Sequence, residues 1–137
     1  MTMITVNPTA QALAEAILYT ECDFDGVPLD RNYSINDFDQ KSLESLYNEF
    51  QQFIEIVEPK IMEKVGDTWD SIDDFYDLMQ PSENQTEYDY ILTRNHHGAG
   101  FWDGDWASEV SEILTDAAHS QSEILTCVGD DGKIYLS

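Results

Sequence analysis

The segment FDQKSLESLYNEFQQFIEIVEPKIMEKVG, residues 38–66, constrains the fold more than any other part of this chain. Its apolar residues recur at steps of three and four, which places their side chains on one face of an α-helix. These residues are Leu43, Leu46, Tyr47, Phe50, Phe53, Ile54, Val57 and Ile61. The other elements must cover this face, so the chain needs a packed core. Pro59 lacks a backbone N–H, and we expect it to kink or break the helix near Glu58.

Three further segments have the pattern of helices. Residues 7–20, NPTAQALAEAILYT, begin with Asn7 and include Thr9, and either residue can cap a helix. Residues 67–79, DTWDSIDDFYDLM, predict a shorter helix, and residues 105–120, DWASEVSEILTDAAHS, predict another.

Two segments have the pattern of strands. Residues 87–94, EYDYILTR, alternate well enough for a strand, with Tyr88, Tyr90 and Leu92 on one side. Residues 122–137 close the chain as a hairpin around the turn GDDG. At 137 residues, the chain is expected to form a single acidic domain, residues 1–137. Its predicted class is α+β: N-terminal helices packed on a small antiparallel sheet of about three strands, with one helix inserted before the C-terminal hairpin.

The charge of the chain limits its partners. It has 28 Asp and Glu against 6 Lys and Arg, a formal net charge of −22. Such a chain repels nucleic acid and anionic membrane surfaces, so we expect neither as a direct partner. The charge suits a basic protein partner, a divalent cation, or simple solubility. A homodimer is left open.

The acidic side chains fall on helical ridges with few cations between them. At 3.6 residues per turn, Glu44, Glu55 and Glu58 share one arc of the long helix, while Glu49 lies on the opposite flank. Two more ridges are predicted on the later helices: Asp70, Asp73, Asp74 and Asp77 on one, and Glu109, Glu112 and Asp116 on the other. Like charges at i and i+4 destabilise a helix, which favours a role for these acids beyond solvation.

The stretch LTRNHHGAGFWDGDW, residues 92–106, is predicted to hold the fold together. Its glycines allow backbone turns closed to other residues, its aromatic residues bury surface, and its arginine is expected to pair with a nearby Asp. The residues of this structural motif are Arg94, Asn95, His97, Gly98, Gly100, Phe101, Trp102 and Asp103.

The same residues can be compared with the patterns of metal, phosphate and catalytic sites. His96, His97 and His119 match no metal-ligand spacing, so no metal and no cofactor are expected. The sequence HGAG is too short to cradle a phosphate, and DFDG places its glycine at the wrong position for a calcium loop. His97 could form an acid–base pair with Asp103 or Asp105, which keeps a small hydrolase or modifying enzyme as an alternative.

Cys22 and Cys127 fit no metal or redox spacing. They are read as free thiols of a reducing cytoplasm, with a bridge left open. The N-terminal residues lack the pattern of a signal peptide, and no apolar run is long enough to span a bilayer.

Three segments resemble a family of small acidic proteins of tailed bacteriophages and prophages. They are YDYILTRNHHGAGFWDGD, DFDGVPLDRNYSINDFD and VGDDGKIYL. The family usually has glycine where His96 stands. The resemblance implies a phage protein that acts in the cytoplasm of a host bacterium.

Charge and resemblance together predict a phage-encoded inhibitor of a basic, nucleic-acid-handling host defence protein. The target would be a restriction or CRISPR nuclease, bound by mimicry of DNA. The predicted partner-binding residues are Glu44, Glu55, Glu58, Asp70, Asp73, Asp74 and Asp77. The alternatives are the enzyme that uses His97 and Asp103, and a virion or assembly accessory protein.

Overall fold

The structure, a computed structural model, describes residues 8–65, 85–97, 99–101 and 108–137. Within these ranges the chain is α+β, with four α-helices, two short 3₁₀ helices and one two-stranded antiparallel sheet. The helices are α1 (Pro8–Thr20), α2 (Gln40–Val65), α3 (Gln85–Arg94) and α4 (Ser108–Ser120), and the strands are β1 (Thr126–Val128) and β2 (Ile134–Leu136). None of the helices in the described ranges is long and apolar enough to cross a membrane.

The chain forms two compact units, and the expectation of a single domain stays a prediction. The first unit comprises residues 1–49 and 124–137, and the second comprises residues 50–123. Helix α2 is continuous across the boundary, so its first ten residues belong to one unit and the rest to the other.

In the first unit, α1 buries an alanine-rich face around Leu13 and Ile17, both completely buried. The Asp39 carboxylate accepts the Ser42 N–H at 3.0 Å and so caps the start of α2. The Asp39 N–H donates to the Ile134 carbonyl at 2.8 Å, and this bond joins the start of α2 to the C-terminal hairpin. The core of this unit is completed by Leu29, Phe38, Leu43, Leu46, Ile124 and Ile134.

The C-terminal hairpin has the predicted position. Thr126 pairs with Leu136, and Val128 pairs with Ile134. The Tyr135 hydroxyl donates to Asp131 at 2.5 Å across the turn. A Cβ on Gly129 would lie 2.8 Å from the Tyr135 ring, so the ring occupies the space that any other residue would need.

In the second unit, an aromatic cluster forms the centre of the core. The Tyr90 ring lies 4.9 Å from Phe50 and 4.8 Å from Phe53, between ring centroids. Phe53 stacks on Phe101 at 5.9 Å and an interplanar angle of 10°. Tyr90, Phe53 and Phe101 are all completely buried. The cluster packs residues from α2, α3 and the segment that follows α3.

The strand predicted over residues 87–94 is wrong, because these residues form helix α3. All of residues 90–94 are buried, so the segment has no single apolar face to show its helical period. A short buried run of this kind has the same pattern in a strand and in a helix. The described sheet therefore has two strands instead of about three.

Of the kink or break predicted near Glu58, the break is wrong, because α2 continues to Val65, and the kink stays a prediction. A proline at this position removes the N–H that would bond the Glu55 carbonyl. Pro59 and Glu55 are both exposed, so water can hydrate that carbonyl and the helix persists.

The remaining helix predictions have separate outcomes. Helix α1 is confirmed, but it begins at Pro8, so Thr9 lies inside its first turn and is not the cap. Helix α4 is confirmed over Ser108–Ser120. The apolar stripe of α2 is confirmed, with Tyr47 and Ile54 at its half-buried margins. The predicted helix over residues 67–79 and the predicted cap Asn7 lie outside the described residues.

Candidate functional site

Arg94 lies at the end of α3 and is buried, with 2% of its surface exposed. Its Nε donates to the Ser122 carbonyl at 2.6 Å, and its Nη1 donates to the Tyr90 hydroxyl at 2.9 Å. The Tyr90 hydroxyl in turn donates to Gln121 Oε1 at 2.6 Å. These bonds tie the end of α3 to the segment that follows α4.

The ion pair predicted between Arg94 and an aspartate stays a prediction. Two of the nearby aspartates in sequence, Asp103 and Asp105, lie outside the described residues. A buried cation needs hydrogen-bond acceptors around it. For the guanidinium of Arg94, the Ser122 carbonyl and the Tyr90 hydroxyl are two such acceptors.

Backbone hydrogen bonds from the turn after α3 cap the C-terminal end of the helix. The His97 N–H donates to the Leu92 carbonyl at 2.9 Å, and the His96 N–H donates to the Thr93 carbonyl at 3.1 Å. This pair of bonds is the Schellman motif with Asn95 as the C-cap, and in this motif the residue after the C-cap adopts a left-handed conformation. That residue is His96, with a φ of 57°. Glycine is the usual residue at this position, because it lacks the Cβ that makes a left-handed conformation costly.

Phe101 is anchored at both backbone groups. Its N–H donates to Thr93 Oγ1 at 3.1 Å, and its carbonyl accepts the Ser111 hydroxyl at 2.7 Å. Gly100, just before it, has a φ of 157°. Residues 99–101 therefore fold back onto α3 and are bonded to α4. Gly98, Trp102 and Asp103, which belong to the same predicted structural motif, lie outside the described residues.

The histidines form a contact that the sequence did not predict. The rings of His96 and His119 stack at 4.6 Å with an interplanar angle of 22°. His96 Nε2 lies 3.9 Å from Glu123 Oε1. In the described part of the chain, no group of three or more His, Cys, Asp or Glu side chains is arranged to hold a metal ion. His96 reaches His119 from a backbone in a left-handed conformation. Sequence spacing does not show this conformation, so it could not predict the stack.

His97 is half-buried beside this turn. Its proposed acid–base partners, Asp103 and Asp105, lie outside the described residues, as stated above. The enzymatic alternative therefore stays a prediction.

The predicted partner-binding acids divide into two groups. Glu44 and Glu55 are exposed on α2, and Glu58 is half-buried on the same helix. Glu44 accepts a hydrogen bond from Gln40 at 3.2 Å. Among the described residues, none of the three acids forms an ion pair with a cation. The other four, Asp70, Asp73, Asp74 and Asp77, lie outside the described residues.

The third predicted ridge lies on α4, in the second unit. Glu112 and Asp116 are exposed there. The side chain of Glu109 lies outside the part of the chain that the structure describes.

Among the described residues, three titratable groups have clearly shifted pKa values. Burial raises the pKa of Glu87, in the first turn of α3, and its own backbone N–H opposes that shift. The hydrogen bond from Tyr135 lowers the pKa of Asp131, with help from the Lys133 N–H. The same bond raises the pKa of Tyr135 to about 12. Asp131 and Tyr135 lie on the C-terminal hairpin, and their hydrogen bond closes its turn.

Cys22 and Cys127 are both exposed and unbridged. No family model, no curated protein and no solved structure matches this chain.

Proposed function

We propose that this chain is a phage-encoded inhibitor that binds a basic, nucleic-acid-handling host defence protein, such as a restriction or CRISPR nuclease. Its carboxylates would take the place of DNA phosphates in the basic groove of that protein. The observation that carries the proposal is that Glu44, Glu55 and Glu58 of α2 form no ion pair with a described residue, in a chain with a net charge of −22.

The buried stripe of α2 supports the proposal because it fixes which side of the helix faces solvent. Leu43 and Val57 are buried, and the acids next to them in sequence, Glu44 and Glu58, lie at the edge of that stripe. An ordinary surface helix offsets its acids with Lys at i+4. Helix α2 has exposed lysines at positions 41 and 60, and neither forms an ion pair with a described acid.

The amount of charge also supports the proposal. Duplex DNA carries one charge per about 1.7 Å, so a net charge of −22 matches roughly 37 Å of duplex, about eleven base pairs. A partner evolved to bind phosphates would then be attracted over a distance set by the ionic strength.

The test is a capture experiment followed by competition. The full chain is immobilised and exposed to a host lysate, and retained proteins are eluted with rising NaCl and, separately, with a short DNA duplex. We expect a DNA-binding protein that both salt and the duplex release. The purified protein should then lose DNA binding when the free chain is added.

Two variants that lose the same number of negative charges distinguish the effect of where the acids lie from the effect of net charge. The α2 variant combines Glu44→Gln, Glu55→Gln and Glu58→Gln. The control combines Glu15→Gln, Glu123→Gln and Asp130→Asn, which are exposed acids elsewhere. We expect the α2 variant to bind at least about tenfold more weakly than the control, since tenfold is about 1.4 kcal/mol.

A second variant tests the ridge predicted over residues 67–79. Asp73→Lys, Asp74→Lys and Asp77→Lys together should abolish the complex, because three repulsive charges would face the basic groove. Binding that ignores both salt and these changes would defeat the proposal.

A further inference from the structure

The loop over residues 22–28 presents one aromatic side chain to solvent. Phe24 has a relative exposure of 105%, the highest among the large apolar residues described, ahead of Tyr19 at 72% and Leu125 at 64%. A single exposed apolar residue is common on protein surfaces and by itself means little. What distinguishes Phe24 is the ordered loop that holds it.

That loop is closed by its own hydrogen bonds. The Asp23 carboxylate accepts the N–H groups of Asp25 at 2.9 Å and Val27 at 3.0 Å. The Asp23 N–H donates to the Val27 carbonyl at 2.9 Å, and Gly26 has a φ of 81°, which only glycine adopts without strain. Phe24 therefore sits at the tip of a turn whose backbone is already fixed.

The base of the loop is fastened to the first unit. Cys22 and Pro28 form an antiparallel bridge, and the Leu29 N–H donates to the Glu21 carbonyl at 3.0 Å. Leu29 is completely buried. Because its backbone is already fixed, Phe24 loses little backbone conformational entropy on binding, which favours a role as an anchor residue.

The charges around Phe24 define the partner that fits it. Residues 21–30 contain four acids and no Lys or Arg. Asp25 and Asp30 are exposed. An anionic membrane or a second copy of this acidic chain would be repelled at this tip. A pocket that takes the ring and has Lys or Arg at its edge would complement both features.

We propose that Phe24 inserts into an apolar pocket rimmed by Lys and Arg on a basic protein partner. The proposal rests on the proposed function in one respect: the partner is the same basic protein that the acids of α2 attract. The acids then bring the two proteins together, and Phe24 supplies contact that persists at high salt.

The experiment uses the full chain and the protein retained in the capture experiment above. Dissociation constants are measured for the wild type, for Phe24→Ala and for Leu125→Ala, a control that removes a comparably exposed apolar side chain. We expect Phe24→Ala to weaken binding about 30-fold or more, and Leu125→Ala to change it less than about threefold. Circular dichroism confirms that each variant is folded.

A third variant tests the ordered loop. Asp23→Ala keeps the Phe24 ring and removes the carboxylate that closes the turn. Its affinity should fall between those of the wild type and Phe24→Ala, because a loose loop must be ordered on binding. An affinity equal to that of the wild type would overturn the role of the fixed turn.

Photocrosslinking identifies what covers the ring. p-Benzoylphenylalanine replaces Phe24, or Leu125 as the control, and crosslinked peptides are mapped on the partner. A crosslink from position 24 to an apolar pocket beside Lys or Arg supports the proposal. A crosslink to a second copy of the chain, or retention on phosphatidylcholine vesicles that Phe24→Ala abolishes, would overturn it.

Failure of this proposal differs from failure of the proposed function. If the wild type and Phe24→Ala bind a basic protein equally and release it with salt, the anchor is wrong and the proposed function stands. If the lysate yields no salt-sensitive basic partner, both are wrong.

Discussion

Arg94 is one of six Lys and Arg residues in the chain, yet it is buried and bonded to Tyr90 and to the Ser122 carbonyl. Because Arg94 is buried, its positive charge neutralises little of the negative surface charge that the 28 acids produce. The position is understandable because a guanidinium can donate in several directions at once.

Truncation of Arg94 should destabilise the protein. Arg94→Ala leaves the Ser122 carbonyl and the Tyr90 hydroxyl short of a donor, and we expect the free energy of unfolding to fall by about 2–4 kcal/mol. Arg94→Lys should also lower it, because an ammonium cannot reproduce the planar fork. Urea denaturation measures both, and the exposed Arg31→Ala is the control, expected within about 0.5 kcal/mol of the wild type. Equal effects at positions 94 and 31 would contradict this role.

His96 occupies a backbone conformation that favours glycine. His96→Gly should raise the free energy of unfolding above that of His96→Ala by about 1 kcal/mol, because alanine keeps the left-handed strain and glycine removes it. Both variants lack the imidazole ring, so their difference isolates the backbone from the stack with His119. Urea denaturation at one pH suffices, and greater stability for His96→Ala would contradict the assigned turn.

The bond between Tyr135 and Asp131 predicts a pH dependence. The pKa of Tyr135 should be about 12 by ¹³C NMR titration, and Asp131→Asn should return it toward its ordinary value of 10.0. Because the folded pKa is raised, the stabilisation is present below pH 10.0 and is lost as the pH rises toward about 12. The pKa of Asp131 is lowered, so its share is present above 3.8 and is lost as the pH falls through the folded value. A Tyr135 pKa unchanged in Asp131→Asn would refute the bond in solution.

At the scale of elements, α2 contains a proline that it does not need for packing. Pro59 is exposed and lies inside the continuous helix Gln40–Val65. Pro59→Ala restores the backbone donor to the Glu55 carbonyl, and we expect a stability gain of about 1–3 kcal/mol by urea denaturation. Lys60→Ala, at the next exposed position, should stay within about 0.5 kcal/mol of the wild type. A loss of stability in Pro59→Ala would mean that the ring itself makes a needed contact.

Elements with one clear apolar face could be predicted from sequence. The apolar face predicts helices α2 and α4, and the turn GDDG predicts the hairpin. Helix α3 could not be predicted in this way, because residues 90–94 are buried on every side and carry no helical period. Its burial depends on contacts such as Tyr90 with Gln121, which lie 31 residues apart. The spacing of apolar residues shows which face of a single element is turned away from solvent. It does not show contacts with residues that are distant in sequence.

The candidate site was only partly accessible to the same reasoning. Exposed acids on α2 follow from the phase of its apolar stripe, and Glu44, Glu55 and Glu58 were placed on that helix correctly. The ordered tip at Phe24 was missed, because the Asp23 carboxylate closes it through bonds to two backbone N–H groups. The signal was present as an Asp three residues before a Gly, the composition of a side-chain-closed turn.

At the scale of the whole molecule, a net charge of −22 opposes folding through self-repulsion. Salt should therefore stabilise the isolated protein even as it weakens the proposed complex. We expect the midpoint of thermal unfolding to rise between roughly 10 and 300 mM NaCl, where the Debye length shrinks severalfold. Sucrose at matched osmolality is the control for effects other than screening. A midpoint that falls with salt would show that attractive ion pairs outweigh the repulsion.

The ring of Tyr135 stands over Gly129, and this has an evolutionary consequence. As long as the aromatic ring remains, every mutation that adds a side chain at position 129 meets it at 2.8 Å. If position 135 mutates to a small residue, the contact with the ring is lost, but Asp131 Oδ1 still lies 2.9 Å from the added Cβ. A side chain at position 129 therefore requires changes at both neighbours, so the three positions of this turn must vary together.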